Sequence, residues 1–134
     1  MRIGADTWFL VLLSEGNENA KKLFKQIAEG QHELFISALS ISEIMVVLLR
    51  KGVPELAEKM LFELVAFPNV HIVSFGVSIA TESAKIKHSL GLSLVDAGII
   101  TTALANNCTA FVADDGDYRH AKKLINIAKP EDLL

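Results

Sequence analysis

Short apolar runs and helical stripes take turns along this chain from end to end, and that alternation restricts its fold more than any other feature. Ile3 to Ala5 reads as a short strand and Thr7 to Leu13 as a first helix. Asn17 can cap a second helix whose apolar face is Ala20, Leu23, Phe24, Ile27 and Ala28, the i, i+3, i+4, i+7, i+8 spacing of one helical stripe. Gly30 ends that helix, and Leu34 to Ile36 is a second strand. A helix from Ile41 to Leu49 stops at Gly52, and Pro54 suits the first turn of another that runs to about Ala66. Pro68-Asn69 turns the chain into a third strand, Val70 to Val73. Val77 to Leu90 is an amphipathic helix ending at Gly91, whereas Leu94 to Ala105 is apolar nearly all round, which predicts a buried helix. Ala110 to Val112 is a fourth strand, followed by a short basic helix near Tyr118 to Lys123 and a last strand around Ile125 to Ala128. Strands alternating with helices predict an α/β fold: one three-layer domain over residues 1–134, a parallel sheet of about four to five strands with helices on both faces.

Acidic residues stand at the joints of this pattern. Asp6 closes the first strand, Glu43 opens Ile-Met-Val-Val-Leu-Leu, Asp96 opens Ala-Gly-Ile-Ile, and Asp114-Asp115-Gly116-Asp117 follows Ala-Phe-Val-Ala. Ligands in folds of this type bind outside the carboxyl ends of the strands, where Asp6 and Asp114 to Asp117 fall. Carboxylates are costly to desolvate and are rarely buried without a partner. Few Lys or Arg lie beside these, which points to a metal ion, since convergent carboxylates around Mg²⁺ or Mn²⁺ are the usual equipment for phosphodiester hydrolysis. Helix capping is the plainer explanation. Asp6 can cap the helix at Thr7, Asp117 the short helix after it, and both Ser40-Ile-Ser-Glu43 and Ser93-Leu-Val-Asp96 have the spacing of a capping box. The two explanations are compatible, because an acid in a first turn points toward the end where ligands sit.

Charge and composition narrow the field. The net charge of −3 predicts no strong non-specific grip on nucleic acid, although Arg50-Lys51, Lys85-Lys87-His88 and Arg119-His120 with Lys122-Lys123 are candidates for a local basic rim. No apolar run reaches the length of a membrane span, so no membrane role is expected, and the N-terminal run, broken by Asp6, reads as strand then helix rather than as a signal peptide. A single cysteine, Cys108, forms no internal disulfide and reads as a small filler ahead of a strand, consistent with a reducing, cytoplasmic setting. The four histidines show no His-x-x-x-His pair, which argues against a zinc hydrolase; surface roles are expected for them, with His32 and His71 preceding strand residues and His88 and His120 on polar helix faces. With 51% hydrophobic residues in a small domain, an exposed apolar patch is expected on the amphipathic helices between Asn17 and Ala66.

Four blocks, in order, resemble the PIN-domain family, and in particular the VapC-like toxin ribonucleases of prokaryotic toxin–antitoxin pairs. Ile3-Gly-Ala-Asp6-Thr7 resembles the family's opening strand, and Ile36-Ser-Ala-Leu-Ser-Ile-Ser-Glu43-Ile its second strand and glutamate-bearing helix. Gly91-Leu-Ser-Leu-Val-Asp96-Ala is similar to its Leu-x-x-Asp-Ala block, and Ala110-Phe-Val-Ala-Asp-Asp115-Gly-Asp117-Tyr118 to its Thr-x-Asp-x-Asp-Phe ending. The likeness spans the whole chain, through Lys129-Pro130. It implies a PIN-like nuclease domain in which Asp6, Glu43, Asp96 and Asp115 are catalytic and Asp6, Asp96, Asp115 and Asp117 bind Mg²⁺ or Mn²⁺. Thr7, Ser37 and Asp114 are implied as groups that support those ligands. It also implies an RNA substrate cut endonucleolytically, a cognate antitoxin that covers or enters the acidic groove, and a homodimer. Trp8 stands where the family has a small polar residue, and Ala113 replaces a threonine. These departures favour the main rival, a PIN-fold module that binds RNA or protein without cutting it. A receiver-like phosphoacceptor domain is a distant third, because Asp6 has no acidic neighbour and the last strand leads only to Lys129-Pro130.

Overall fold

In the computed structural model, which describes residues 1–134, the alternation resolves into five strands and seven helices. The strands are β1 (Arg2–Ala5), β2 (Glu33–Ser37), β3 (Val70–Val73), β4 (Ala110–Val112) and β5 (Asn126–Ala128). The helices are α1 (Thr7–Ser14), α2 (Glu18–Ala28), α3 (Ala38–Arg50), α4 (Pro54–Ala66), α5 (Val77–Leu90), α6 (Leu94–Ala105) and the one-turn α7 (Asp115–Tyr118). All neighbouring strands are parallel, in the order β3-β2-β1-β4-β5. The chain steps outward from β1 through β2 to β3, then crosses to the other side of β1 to lay down β4. The carboxyl ends of β1 and β4 therefore flank the point where the strand order reverses, which is where an open α/β sheet holds its ligands.

Two cores explain why the strands read as continuous apolar runs. Ile3, Ala5, Leu34, Ile36 and Val112 pack on one face, beneath helices that contribute Phe9, Leu10, Leu23, Ile27, Ile44, Leu48 and Leu64. Phe35, Phe111 and Ala113, the alternate residues of β2 and β4 and the residue that follows β4, pack on the opposite face with Ala97, Ile99, Ile100 and Ala103 of α6. Covering both faces requires α6 to be apolar all round, and seven consecutive residues, Ala97 to Ala103, are buried. Glycine lets α6 lie close. A β-carbon on Gly4 would run into the Ala103 methyl, and one on Gly98 would sit 2.7 Å from Leu39 and 2.9 Å from Phe75. This close docking carries the first turn of α6, with Asp96, to the carboxyl end of the sheet. No single helix is long and apolar enough to cross a membrane.

Several boundaries differ from the sequence expectation. Helix α3 starts at Ala38 rather than Ile41, and its cap is Ser37, whose Oγ accepts from the Leu39 amide at 3.1 Å. Ser40 is consequently one turn inside the helix, fully buried, with no hydrogen-bond partner for its hydroxyl. The box expected of Ser40 and Glu43 does not exist, because the chain turns helical directly at the end of β2. The basic segment is an α-helical turn over Asp115–Tyr118 followed by a 3₁₀ turn over Arg119–Ala121, earlier than the expected Tyr118 to Lys123. His71, within β3 as the strand bounds Val70 to Val73 imply, stacks on Phe35 and is bonded to Glu33 at 2.8 Å. Cys108 is buried as expected, and burial pushes its thiol up to about 11, so it stays an unreactive thiol near neutral pH.

Candidate active site

At the carboxyl end of the sheet lies a groove of about 440 Å³ lined by four acids, Asp6, Glu43, Asp96 and Asp117. They come from four different elements, and each is put there by its local structure. Asp6 follows the last residue of β1, where its amide still bonds to the Val112 carbonyl at 2.9 Å, and it caps α1, accepting from the Trp8 amide at 3.4 Å. Glu43 is on the second turn of α3. Thr7, the first residue of α1, donates from Oγ1 to Glu43 Oε1 at 2.5 Å and so fixes the carboxylate of one helix from the start of another. Asp96 is in the first turn of α6, which Ser93 caps through the Asp96 amide at 3.1 Å. The Asp96 carboxylate does not close a reciprocal box; it faces Tyr118 instead.

Tyr118 ties the site together. Its side chain is fully buried, edge-on to Phe111 with ring centroids 5.0 Å apart. Its hydroxyl donates to Asp6 Oδ1 at 2.8 Å and lies 3.2 Å from Asp96 Oδ1. One phenolic proton is thus shared between two carboxylates, and the two oxygens can be no farther apart than the sum of those bonds. Burial pushes the Asp6 carboxyl up from 3.8 to about 6, against the hydrogen bonds from Tyr118 and Trp8, and the negative charge of Asp96 adds to the rise. Burial and the charges of Asp6 and Asp96 push the phenol far above its ordinary range, so Tyr118 remains a donor at every working pH.

The raised carboxyl has a consequence for stability. Between about pH 4 and pH 6 the folded protein holds a proton on Asp6 that the unfolded chain has released, so this group's stabilising contribution is complete below about 4 and is lost as the pH rises through 6. In EDTA, the melting temperature of Asp6→Asn relative to wild type should therefore climb from pH 4 to pH 7. A difference that stays flat over that range would show that Asp6 is not desolvated.

The other expected residues are placed elsewhere. Asp115 lies outside the groove; it faces Lys122 at 3.6 Å and lines a separate small cleft with Asn126 and Lys129. Asp114 precedes α7 as an exposed residue and makes no capping bond. In a one-turn helix anchored by Tyr118, neighbouring acids must point different ways, and only Asp117 turns into the groove. Ser37 is spent on capping α3 and is not among the groove's walls. Trp8 packs against the first core, and Ala113 is fully buried in the second. Sequence reasoning missed Tyr118, whose signal was available: a tyrosine directly after the acid run that closes an apolar strand needs a partner for its hydroxyl once buried.

The donor set fits a hard divalent cation. All four acids offer only oxygen, Thr7 adds a hydroxyl against Glu43, and none of the four is paired with a Lys, Arg or His. Asp6 and Asp96 are linked through the Tyr118 hydroxyl; no three of the side chains converge closely enough here to enclose one ion. Ser42, Val46, Val47 and Arg50 complete the walls, all from α3, and Arg50 is the one cation among them.

Comparison with known proteins gives the same architecture. The family model described as PIN domain matches residues 5–124. No curated protein matches this sequence. Solved structures do. VapBC2 from Rickettsia felis bound to a DNA fragment from its promoter superposes with a TM-score of 0.76 at 15% identity, covering 94% of this chain and 97% of that one. VapC20 from Mycobacterium tuberculosis, described as a sarcin-ricin loop cleaving toxin, gives 0.73 at 19% identity over 96% and 99%. A toxin–antitoxin complex from Klebsiella pneumoniae gives 0.70 at 20% identity over 96% and 97%. At these identities the likeness to the solved structures carries the fold.

Proposed function

The chain belongs to the PIN domain family, and from that premise we propose that it is a metal-dependent endoribonuclease, the toxin of a type II toxin–antitoxin pair. One observation carries the proposal: four carboxylates from four elements line a single groove at the sheet's switch point, and none of them forms an ion pair with a Lys, Arg or His. Such a group of charges is stabilised by a bound divalent ion and is wasteful without one. Bound Mg²⁺ or Mn²⁺ supplies positive charge for the phosphoryl oxygens and makes water a stronger nucleophile. The residues do the rest. Asp6, Asp96, Glu43 and Asp117 present oxygen donors; Tyr118 holds Asp6 and Asp96 together, and Thr7 aims Glu43. Arg50 on the groove wall is placed to meet a phosphate. Asp115, turned toward Lys122, has no part in this reading.

The test is RNA cleavage by pure protein with and without Mn²⁺. A PIN-fold module that binds without cutting is the second reading, favoured by the absence of three fully converged acids; binding without cleavage at saturating Mn²⁺ would establish it. Several of the structural relatives are toxin–antitoxin complexes, which supports an antitoxin partner, and a cytoplasmic location goes with that role. Apolar side chains exposed on α3 and α4, Val46, Leu49, Phe62 and Val65, supply surface for a homodimer or for the antitoxin. Light scattering at high concentration is expected to give a dimer, and a clean monomer would count against it.

A further inference from the structure

A nuclease with an acidic groove and a net charge of −3 must hold a polyanion against its own repulsion. Of the three basic clusters in the sequence, two are largely engaged. Lys85 pairs with Glu82 at 3.1 Å, and Lys87 donates to the Leu92 carbonyl at 3.0 Å. Arg50 is already part of the acidic groove. The third cluster builds a site of its own. Arg119, His120, Lys122 and Lys123 converge with Ser89 and Leu90, at the end of α5, around a cleft of about 500 Å³. No carboxylate lines it and Leu90 is its only apolar wall. Arg119, His120 and Lys123 are exposed and form no ion pair, whereas Lys122 is turned toward Asp115 at 3.6 Å.

Both walls of this cleft are joined by short stretches of chain to residues of the acidic groove. Arg119 is two residues beyond Asp117 and adjoins Tyr118, so its backbone is within about 8 Å of Asp117. Ser89 and Leu90 precede the short Gly91–Ser93 link to α6, which carries Asp96. The buried Tyr118 and Leu92 anchor the two walls beside the site. A strand of RNA with one phosphate at the acids would lay neighbouring phosphates over this cleft.

Resting on the nuclease reading above, we propose that the cleft between the end of α5 and Arg119–Lys123 is a phosphate-binding subsite that grips the RNA backbone beside the scissile bond. Its chemistry favours a polyphosphate chain over a protein surface, because four basic side chains and a serine hydroxyl line it and no carboxylate does. Backbone contacts of this type carry affinity and positioning but no sequence information.

The experiment measures binding of a labelled 12-nucleotide single-stranded RNA by fluorescence anisotropy, in EDTA so that metal-dependent cleavage is held off, across a salt series. Arg119→Gln combined with Lys123→Gln removes two charges but keeps the side-chain stems, and Lys22→Gln combined with Lys59→Gln makes the same charge change on the opposite face of the sheet. The first pair should weaken binding about tenfold near 0.1 M salt and reduce the slope of log K against log salt by roughly 1.4, about 0.7 for each phosphate no longer neutralised. The second pair should leave both unchanged. Equal losses in the two pairs would reduce the effect to net charge and overturn the subsite. Undiminished binding by the first pair, with a wild type that cuts RNA in Mn²⁺, would overturn the subsite and leave the nuclease reading standing. A wild type that neither binds nor cuts RNA would remove both. An oligoglutamate peptide whose binding depends on Arg119 and Lys123, while RNA binding does not, would make the cleft a protein-docking site instead.

Discussion

Glu43→Gln should leave the protein folded and reduce its cleavage of RNA by roughly 10²- to 10³-fold, the scale seen when one catalytic electrostatic group is lost. Glu43 is half-buried and accepts from Thr7 Oγ1. The glutamine amide oxygen can accept the same bond in nearly the same shape, so packing is preserved and only the charge is gone. Charge is what an oxygen-ligated divalent ion needs from this position. Melting temperature and single-turnover cleavage of the same preparations separate the two effects. Cleavage at the wild-type rate would remove Glu43 from the site. Ser40→Ala is the matched control on the same helix. Its buried hydroxyl has no partner, so the change should be neutral or stabilising by up to about 1 kcal/mol, with cleavage retained. That is the opposite of what a capping role for Ser40 would give.

Metal binding should be readable without any activity. With Mn²⁺ at about 100 times its dissociation constant, mass action adds roughly 2.7 kcal/mol to the folded state, which for a domain of this size raises the melting temperature by about 10 °C. Asp96→Asn should lose most of that rise. In EDTA the variant should melt within a few degrees of wild type, for three structural reasons. The cap of α6 is supplied by Ser93 through the backbone and survives. Asparagine can still accept from Tyr118 in place of the carboxylate. Removing the charge also relieves the repulsion that helps to raise the Asp6 carboxyl, offsetting the loss of an acid from a helix N-terminus, worth about 0.3–1 kcal/mol. A large drop in EDTA would show Asp96 to be structural, and an undiminished metal-induced rise would place the ion elsewhere.

Local rules determined most of the architecture. The alternation of apolar runs with helical stripes specifies a parallel sheet, because parallel neighbours need crossover helices and both faces must then be covered. The caps at Asn17 and Ser93 and the left-handed Gly91 stop depend only on residues within one turn, and all three are present in the fold. Local rules also put acids at the right end of the sheet, since an acid after β1 or in the first turn of a helix can go nowhere else. They could not decide which acid of Asp114, Asp115 and Asp117 turns into the groove. That depends on the roll of a four-residue helix, which has too few hydrogen bonds to set its own orientation. Tyr118 sets it by docking on Phe111 and reaching Asp6, a residue 112 positions away in sequence. The Thr7–Glu43 bond and the choice of Ser37 over Ser40 as cap likewise depend on how α1, β2 and α3 meet. Periodicity and capping act over a few residues; the site is made by contacts that exist only once β1 and β4 lie side by side.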